Sequence, residues 1–127
     1  MVKPQRKSAT EAPKREQRLS AVAGAVGDSD DGESARLLYD RIRLGIMSAL
    51  SVNRTMSFAE LKELLGTTDG NLSKHARRLE DAGYLTCKKA FAERVPRTQY
   101  SLTAKGTRQF AKHLAHMEAL IEATRGN

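Results

Sequence analysis

A single cysteine, Cys87, stands in 127 residues, so the chain cannot close a disulfide on itself. That sparing use of cysteine points to a reducing compartment, the cytoplasm. Tryptophan is absent and aromatic residues make up only 5% of the chain. So few rings argue against a protein that holds single strands by stacking their bases. No apolar run approaches the roughly 20 residues that a membrane helix needs. The N-terminal stretch is basic but has no apolar core of a secretory signal. Glu11 and Glu16 sit poorly in a mitochondrial leader. Gly24 and Gly27 have neither the spacing nor the preceding strand of a phosphate-binding turn. No nucleophile–base arrangement and no HExxH pattern is found. These absences leave no enzyme class to propose and no cofactor to expect.

Positive charge is what the chain has in excess. Lys and Arg number 22 against 15 Asp and Glu, for a net charge of +7. A sequence pI near 9.9 favours a polyanionic partner. The length suits one small domain with tails. Residues 1–33 mix Pro4, Pro13, small residues and charge, first basic (Lys3, Arg6, Lys7, Lys14, Arg15, Arg18), then acidic (Asp28, Asp30, Asp31, Glu33). This composition predicts a disordered tail, read first as solvated and without a fixed role, and alternatively as a basic arm that follows a DNA backbone. The ordered domain is expected over residues 34–127.

Within it, Ser34 is expected to cap a first helix ending near Ser51. Leu38, Ile42, Ile46 and Leu50 recur every four residues and draw one apolar stripe along it. Thr55, Met56 and Ser57 form a short extended link. Ser57 and Glu60 then have the spacing of a capping box, and Leu61, Leu64 and Leu65 continue to a stop at Gly66. A second short helix opens near Thr68 and Asp69 and ends at Gly83. Two alternating segments, Tyr84–Phe91 and Arg97–Leu102, read as a hairpin around a turn with Arg94 near its tip and Pro96 at the loop margin. Thr103 can cap a last helix carrying Phe110, Leu114, Met117 and Ile121 at helical spacing. The whole is α+β and mostly helical: a helix-turn-helix followed by a two- to three-stranded β-wing.

The short second helix carries the functional signal. Leu72, Ala76 and Leu79 occupy one face, which leaves Asn71, Ser73, Lys74, Arg77 and Arg78 on the other, with Thr68 at its start. Such side chains reach phosphates and base edges. Lys88, Arg94 and Arg97 add cations on the hairpin. Asp69 can cap the helix or orient a neighbouring arginine, and His75 reads as packing beside the stripe. The outer helices hold more apolar length than a core of this size needs. Leu38, Ile42, Phe110, Leu114, Met117 and Ile121 are therefore expected at a dimer interface.

At this point the residues resemble a family. The run from Arg41 to Met117 resembles the single-domain winged-helix transcriptional regulators of the MarR/ArsR kind. The resemblance rests on Arg43-Leu44-Gly45-Ile46-Met47-Ser48-Ala49-Leu50, on Phe58-Ala59-Glu60-Leu61-Lys62 and on Gly70-Asn71-Leu72-Ser73-Lys74-His75. It rests equally on Leu79-Glu80-Asp81-Ala82-Gly83-Tyr84-Leu85 and Tyr100-Ser101-Leu102-Thr103-Ala104-Lys105-Gly106. It covers about the last two thirds of the chain. It implies a homodimer on a pseudo-palindromic operator in double-stranded DNA. The recognition helix would lie in the major groove and the wing on the backbone or minor groove, with repression by occupancy. It names no effector and no operator.

Two other readings compete. One is a winged-helix adaptor that binds protein without DNA specificity. The other is a metal- or redox-sensing regulator, for which His113 and His116, three apart on one helix face, or Cys87 would serve. A closed zinc site needs four ligands, and no nearby set completes one. Cys87 beside Leu85 reads as a small hydrophobe on an inward strand face.

Overall fold

The computed structural model describes residues 14–27 and 36–125. The elements in chain order are α1 (Arg15–Gly27), α2 (Arg41–Val52), β1 (Met56–Ser57), α3 (Phe58–Leu65), α4 (Asp69–Asp81), β2 (Leu85–Ala92), β3 (Val95–Leu102) and α5 (Ala104–Arg125). They fall into two compact units. One spans Glu33–Ala111, and the other joins α1 to the end of α5 from Lys112 onward.

Where disorder was expected, α1 occupies Arg15–Gly27. Arg15, Gln17, Arg18, Leu19, Ala21 and Ala23 are good helix formers, and the backbone N–H of Lys14 donates to the Gln17 side chain at 3.0 Å. Averaging composition over 33 residues hides this run. Lys3, Arg6 and Lys7, the acidic cluster after α1 and the expected cap Ser34 lie outside the described residues. Residues 36–38 make one helical turn, the helix is interrupted at Tyr39, and Asp40 caps α2 by accepting from the N–H groups of Ile42 and Arg43 at 2.9 and 3.0 Å. An aspartate in extended geometry satisfies two donors that the helix itself cannot.

The expected stripe forms the floor of the core. Leu38, Ile42, Ile46 and Leu50 are buried, joined by Met47, Leu61, Leu72, Ala76, Leu79, Tyr84, Leu85, Tyr100 and Phe110. Leu38, Ile42 and Phe110 are thus filled by the chain's own core. They have no apolar surface left for a second copy, which corrects the dimer role expected of them. Leu114 and Ile121 remain 42% and 46% exposed.

The capping box is present in both directions. Glu60 N–H donates to Ser57 Oγ at 3.1 Å, and Ser57 N–H donates to the Glu60 carboxylate at 2.8 Å. Gly66 ends α3 with φ of 59°, a left-handed conformation that favours glycine. The short link expected at Met56–Ser57 pairs with Tyr100 and Gln99, so the sheet is antiparallel in the order β1-β3-β2.

Beyond Gln99 only β2 and β3 pair, and they run to a two-residue turn at Glu93 and Arg94, with φ of 53° and 70°. Two left-handed residues in succession make the tight primed turn that suits a twisted hairpin. Pro96 therefore lies inside β3, opposite Phe91, not at a loop margin. Hydrogen-bonded and non-hydrogen-bonded pairs alternate outward from the turn. The Phe91–Pro96 pair is of the second kind, so a missing N–H costs the ladder nothing.

Thr103 joins the hairpin to α5. Its Oγ1 donates to the Gly83 carbonyl at 2.6 Å and accepts from Gly106 N–H at 2.9 Å, while its N–H donates to the Tyr84 carbonyl at 3.0 Å. A Cβ on Gly106 would overlap that same Tyr84 carbonyl oxygen. Because the obstacle is backbone on both sides, Gly106→Ala should destabilise the fold by about 2 kcal/mol or more. Denaturant unfolding of the purified variant checks this, and wild-type stability would contradict it.

Candidate nucleic-acid interface

Helix α4 is built to present one face. Thr68 caps it by accepting from Asn71 N–H at 3.2 Å. Leu72, Ala76 and Leu79 are fully buried and His75 nearly so. This i, i+3, i+4, i+7 set pins the helix. Ser73, Lys74, Arg77 and Arg78 are exposed on the other side. The five sequence-expected positions do not all have equal freedom. Asn71 is half-buried, and its amide donates to Thr67 Oγ1 at 2.9 Å, so part of it is committed to the turn. The Thr68 hydroxyl serves as the cap. Asp69 takes neither of its expected roles. It pairs with Lys62 at 2.8 Å across the turn. Both side chains are well exposed, so the pair adds little stability.

What holds α4 from behind has no local signature in the sequence. The Arg43 guanidinium is buried under it. Its Nε donates to the Leu37 carbonyl at 2.6 Å and its terminal nitrogen lies 2.8 Å from His75 Nδ1. Guanidinium has no acceptor and stays charged. Nδ1 must therefore accept, which leaves the imidazole proton on Nε2 and the ring neutral. Asp40 Oδ2 stands 3.6 Å from the same ring nitrogen. Burial lowers the His75 pKa. Asp40 opposes that shift, while Arg43, Lys74 and Arg78 add to it. Asp40 also titrates low, because burial, which alone would raise it, is outweighed by the Arg43 N–H, the Arg43 guanidinium and the Ile42 N–H.

The wing supplies the second set of cations. Lys88, Lys89, Arg94 and Arg97 are all exposed on β2, β3 and their turn. Between wing and helix lies a cleft of about 600 Å³, lined by Ser73, Arg77, Glu80, Asp81, Lys89 and Tyr100 among others. A cation of α4, Arg77, and one of the wing, Lys89, therefore face one opening. Cys87 also borders the cleft. Burial first, then Glu80, pushes its thiol up, against the pull of Lys89. The Tyr100 phenol is pushed up to about 12 by burial, then by Cys87 and Glu80. A thiol held protonated is a poor nucleophile, so this environment works against redox sensing. His113 is buried, and burial and then His116 lower its pKa. Among the described residues no group of three metal-ligating side chains is found.

Comparison with known proteins gives one family model, a winged helix DNA-binding domain, matching residues 42–121. The chain is 33% identical over 73 residues to an uncharacterised protein of Methanocaldococcus jannaschii, covering 58% of this chain and 79% of that one. Among solved structures it is similar to a transcriptional regulator homologue from Pyrococcus horikoshii, with TM-score 0.67 and 29% identity over 85% of this chain and 97% of that one. A MarR-family transcriptional regulator from Silicibacter pomeroyi shares the fold alone, at TM-score 0.56 and 16% identity, covering 86% of this chain and 70% of that one.

The Arg43–His75 contact has a pH signature. His75 titrates lower in the folded chain than its ordinary value near 6.5, so the unfolded chain binds the extra proton first. Its contribution is complete above about pH 6.5 and is lost as pH falls below that value towards the folded pKa. His113 adds to the same slope. Stability should therefore decline between pH 7 and pH 5, and His75→Asn, which keeps an acceptor for Arg43, should flatten that decline without removing it. Denaturant midpoints across the range test this. An unaltered slope in the variant would contradict the account.

Proposed function

Because the chain belongs to the winged helix DNA-binding domain family and has the fold of MarR-type transcriptional regulators, we propose that it binds double-stranded DNA sequence-specifically. In this reading it acts in the cytoplasm as a homodimeric transcriptional regulator and represses by occupying a pseudo-palindromic operator. The observation that carries the reading is the division of α4. A fully buried apolar stripe faces the core, and Ser73, Lys74, Arg77 and Arg78 face solvent beside a cationic wing. The helix supplies base-edge contacts and Arg94 and Arg97 supply phosphate contacts. An adaptor that binds protein has no need of cations on both elements. No described helix is long and apolar enough to cross a membrane.

Selection of duplexes from a random pool by the purified chain tests specificity. A single enriched half-site repeated with two-fold symmetry is expected. Arg77→Ala should then weaken binding to the selected duplex by about 1–3 kcal/mol, the value of a bidentate base contact. No enrichment from the pool, or undiminished binding by the folded variant, would contradict the assignment.

The dimer is proposed through the part of α5 that its own unit leaves open. Leu114 and Ile121 are substantially exposed and Met117 is half-buried, at one-face spacing. A two-fold pairing buries that ridge and joins two half-site contacts, which raises affinity through effective concentration. Leu114→Asp is expected to give a folded monomer with much weaker operator binding. Light scattering reads the mass. A monomeric wild type at micromolar concentration would contradict the pairing.

A further inference from the structure

Phe91 sits at the outer end of the wing with 76% of its surface exposed, and Val95, across the turn, is 57% exposed. Pro96, directly opposite Phe91, is exposed as well. Large apolar side chains at the end of a two-stranded arm contribute nothing to the core. Phe91 and Pro96 are a cross-strand pair and so share one face of the hairpin, where they form an apolar tip, while Val95 lies on the other face. The wing that carries it is mainly cationic. Lys88, Lys89, Arg94 and Arg97 are exposed on its two strands and turn against Glu93, while Glu60 and Glu63 of α3 line a cleft with Val95, Pro96 and Arg97. Strand alternation puts Phe91 on the same face of β2 as Lys89. Lys89 lines the cleft shared with Arg77 of α4. Phe91 therefore continues outward the face that carries the cations of both elements.

We propose that the wing tip is an apolar wedge for the minor groove of duplex DNA, with Phe91 as the inserting ring and Pro96 bracing it. This rests on the DNA-binding reading given above. The cationic wing selects a polyanion over a second copy of this basic chain or an apolar protein surface. Apolar side chains that open a base step enter it from the minor groove, which is too narrow for a whole two-stranded ribbon but open to a single side chain at its tip. The tight turn at Glu93 and Arg94 keeps the end narrow. Arg94 and Arg97 neutralise the flanking phosphates while Phe91 enters a base step and partly unstacks it. Apolar side chains are used in this way to kink duplexes. Specificity then extends to a flank that the recognition helix does not touch, because flexible pyrimidine–purine steps are the easiest to open.

The test uses the full chain and its selected duplex, with 2-aminopurine placed in turn at each step flanking the half-site. Unstacking raises its fluorescence. In wild type a rise is expected at one flanking step per half-site. Phe91→Ala should abolish the rise and weaken binding about tenfold, with the salt slope unchanged because no charge is lost. Phe91→Leu should keep part of the rise, which separates loss of a wedge from loss of the fold. Arg94→Ala should keep the rise and lower the salt slope by about one unit. Wild-type affinity and fluorescence in Phe91→Ala would overturn the wedge and leave the DNA-binding reading standing. A wild-type chain that binds no duplex would remove both. A change of mass in Phe91→Ala without DNA would assign the tip to a second copy and overturn the proposal.

Discussion

A guanidinium buried beneath α4 sets the terms for the rest of the larger unit. Removing such a charge from water costs several kcal/mol unless its hydrogen bonds are made. For Arg43 they are made by groups that ordinary helix geometry would not supply. The Leu37 carbonyl is free to accept because the helix is interrupted before Asp40, and His75 accepts because its ring is neutral. The interruption, the new cap at Asp40 and the tautomer of His75 are thus parts of one solution. His75 belongs to α4, three residues after Leu72 and two before Arg77. The same contact that satisfies Arg43 therefore fixes the rotation of α4 about its axis. Rotation decides which side chains reach solvent.

With that rotation set, the outer face of α4 and the inner face of the wing share one cleft. Arg77 enters it from the helix and Lys89 from β2. Exposed cations on two separate elements give a surface that attracts a polyanion over a distance and orients it on contact. Thr103 and Gly106 keep the wing at its place by stitching the start of α5 to the Gly83 and Tyr84 carbonyls. Cys87 and Tyr100, both protonated through neutral pH, fill the base of the cleft as weak polar groups rather than as reactive ones.

Local signals in the sequence carried most of this fold. The Ser57–Glu60 capping box, the stop at Gly66 and the stripe from Leu38 to Leu50 each depend on residues within a few positions of one another, and each reads directly. The interaction that holds α4 does not, because Arg43 and His75 are 32 residues apart and either alone reads as a surface cation or a packed ring. Asp40 was hidden inside an apolar stripe, where Ser34 competed as the cap. Periodicity identified Leu38, Ile42 and Phe110 as facing something apolar. It could not say whether the cover was the chain or a second copy, and the intrachain core takes all three. Pro96 looked like a loop residue because a one-dimensional reading cannot know which ladder position lacks a hydrogen bond. The polar residues of α4 and the wing were legible because a free face is defined by the apolar one opposite. Asn71 and Thr68 show the limit of that logic, since both are drawn into the turn.

The central claim is that α4 and the wing together form a single surface for duplex DNA. Backbone amide chemical-shift mapping of the isotopically labelled chain, titrated with its selected duplex, tests it most directly. The account predicts shifts concentrated at Ser73, Lys74, Arg77 and Arg78 and across residues 88–97, with α5 little changed. Shifts confined to α5, or on α4 without the wing, would contradict it.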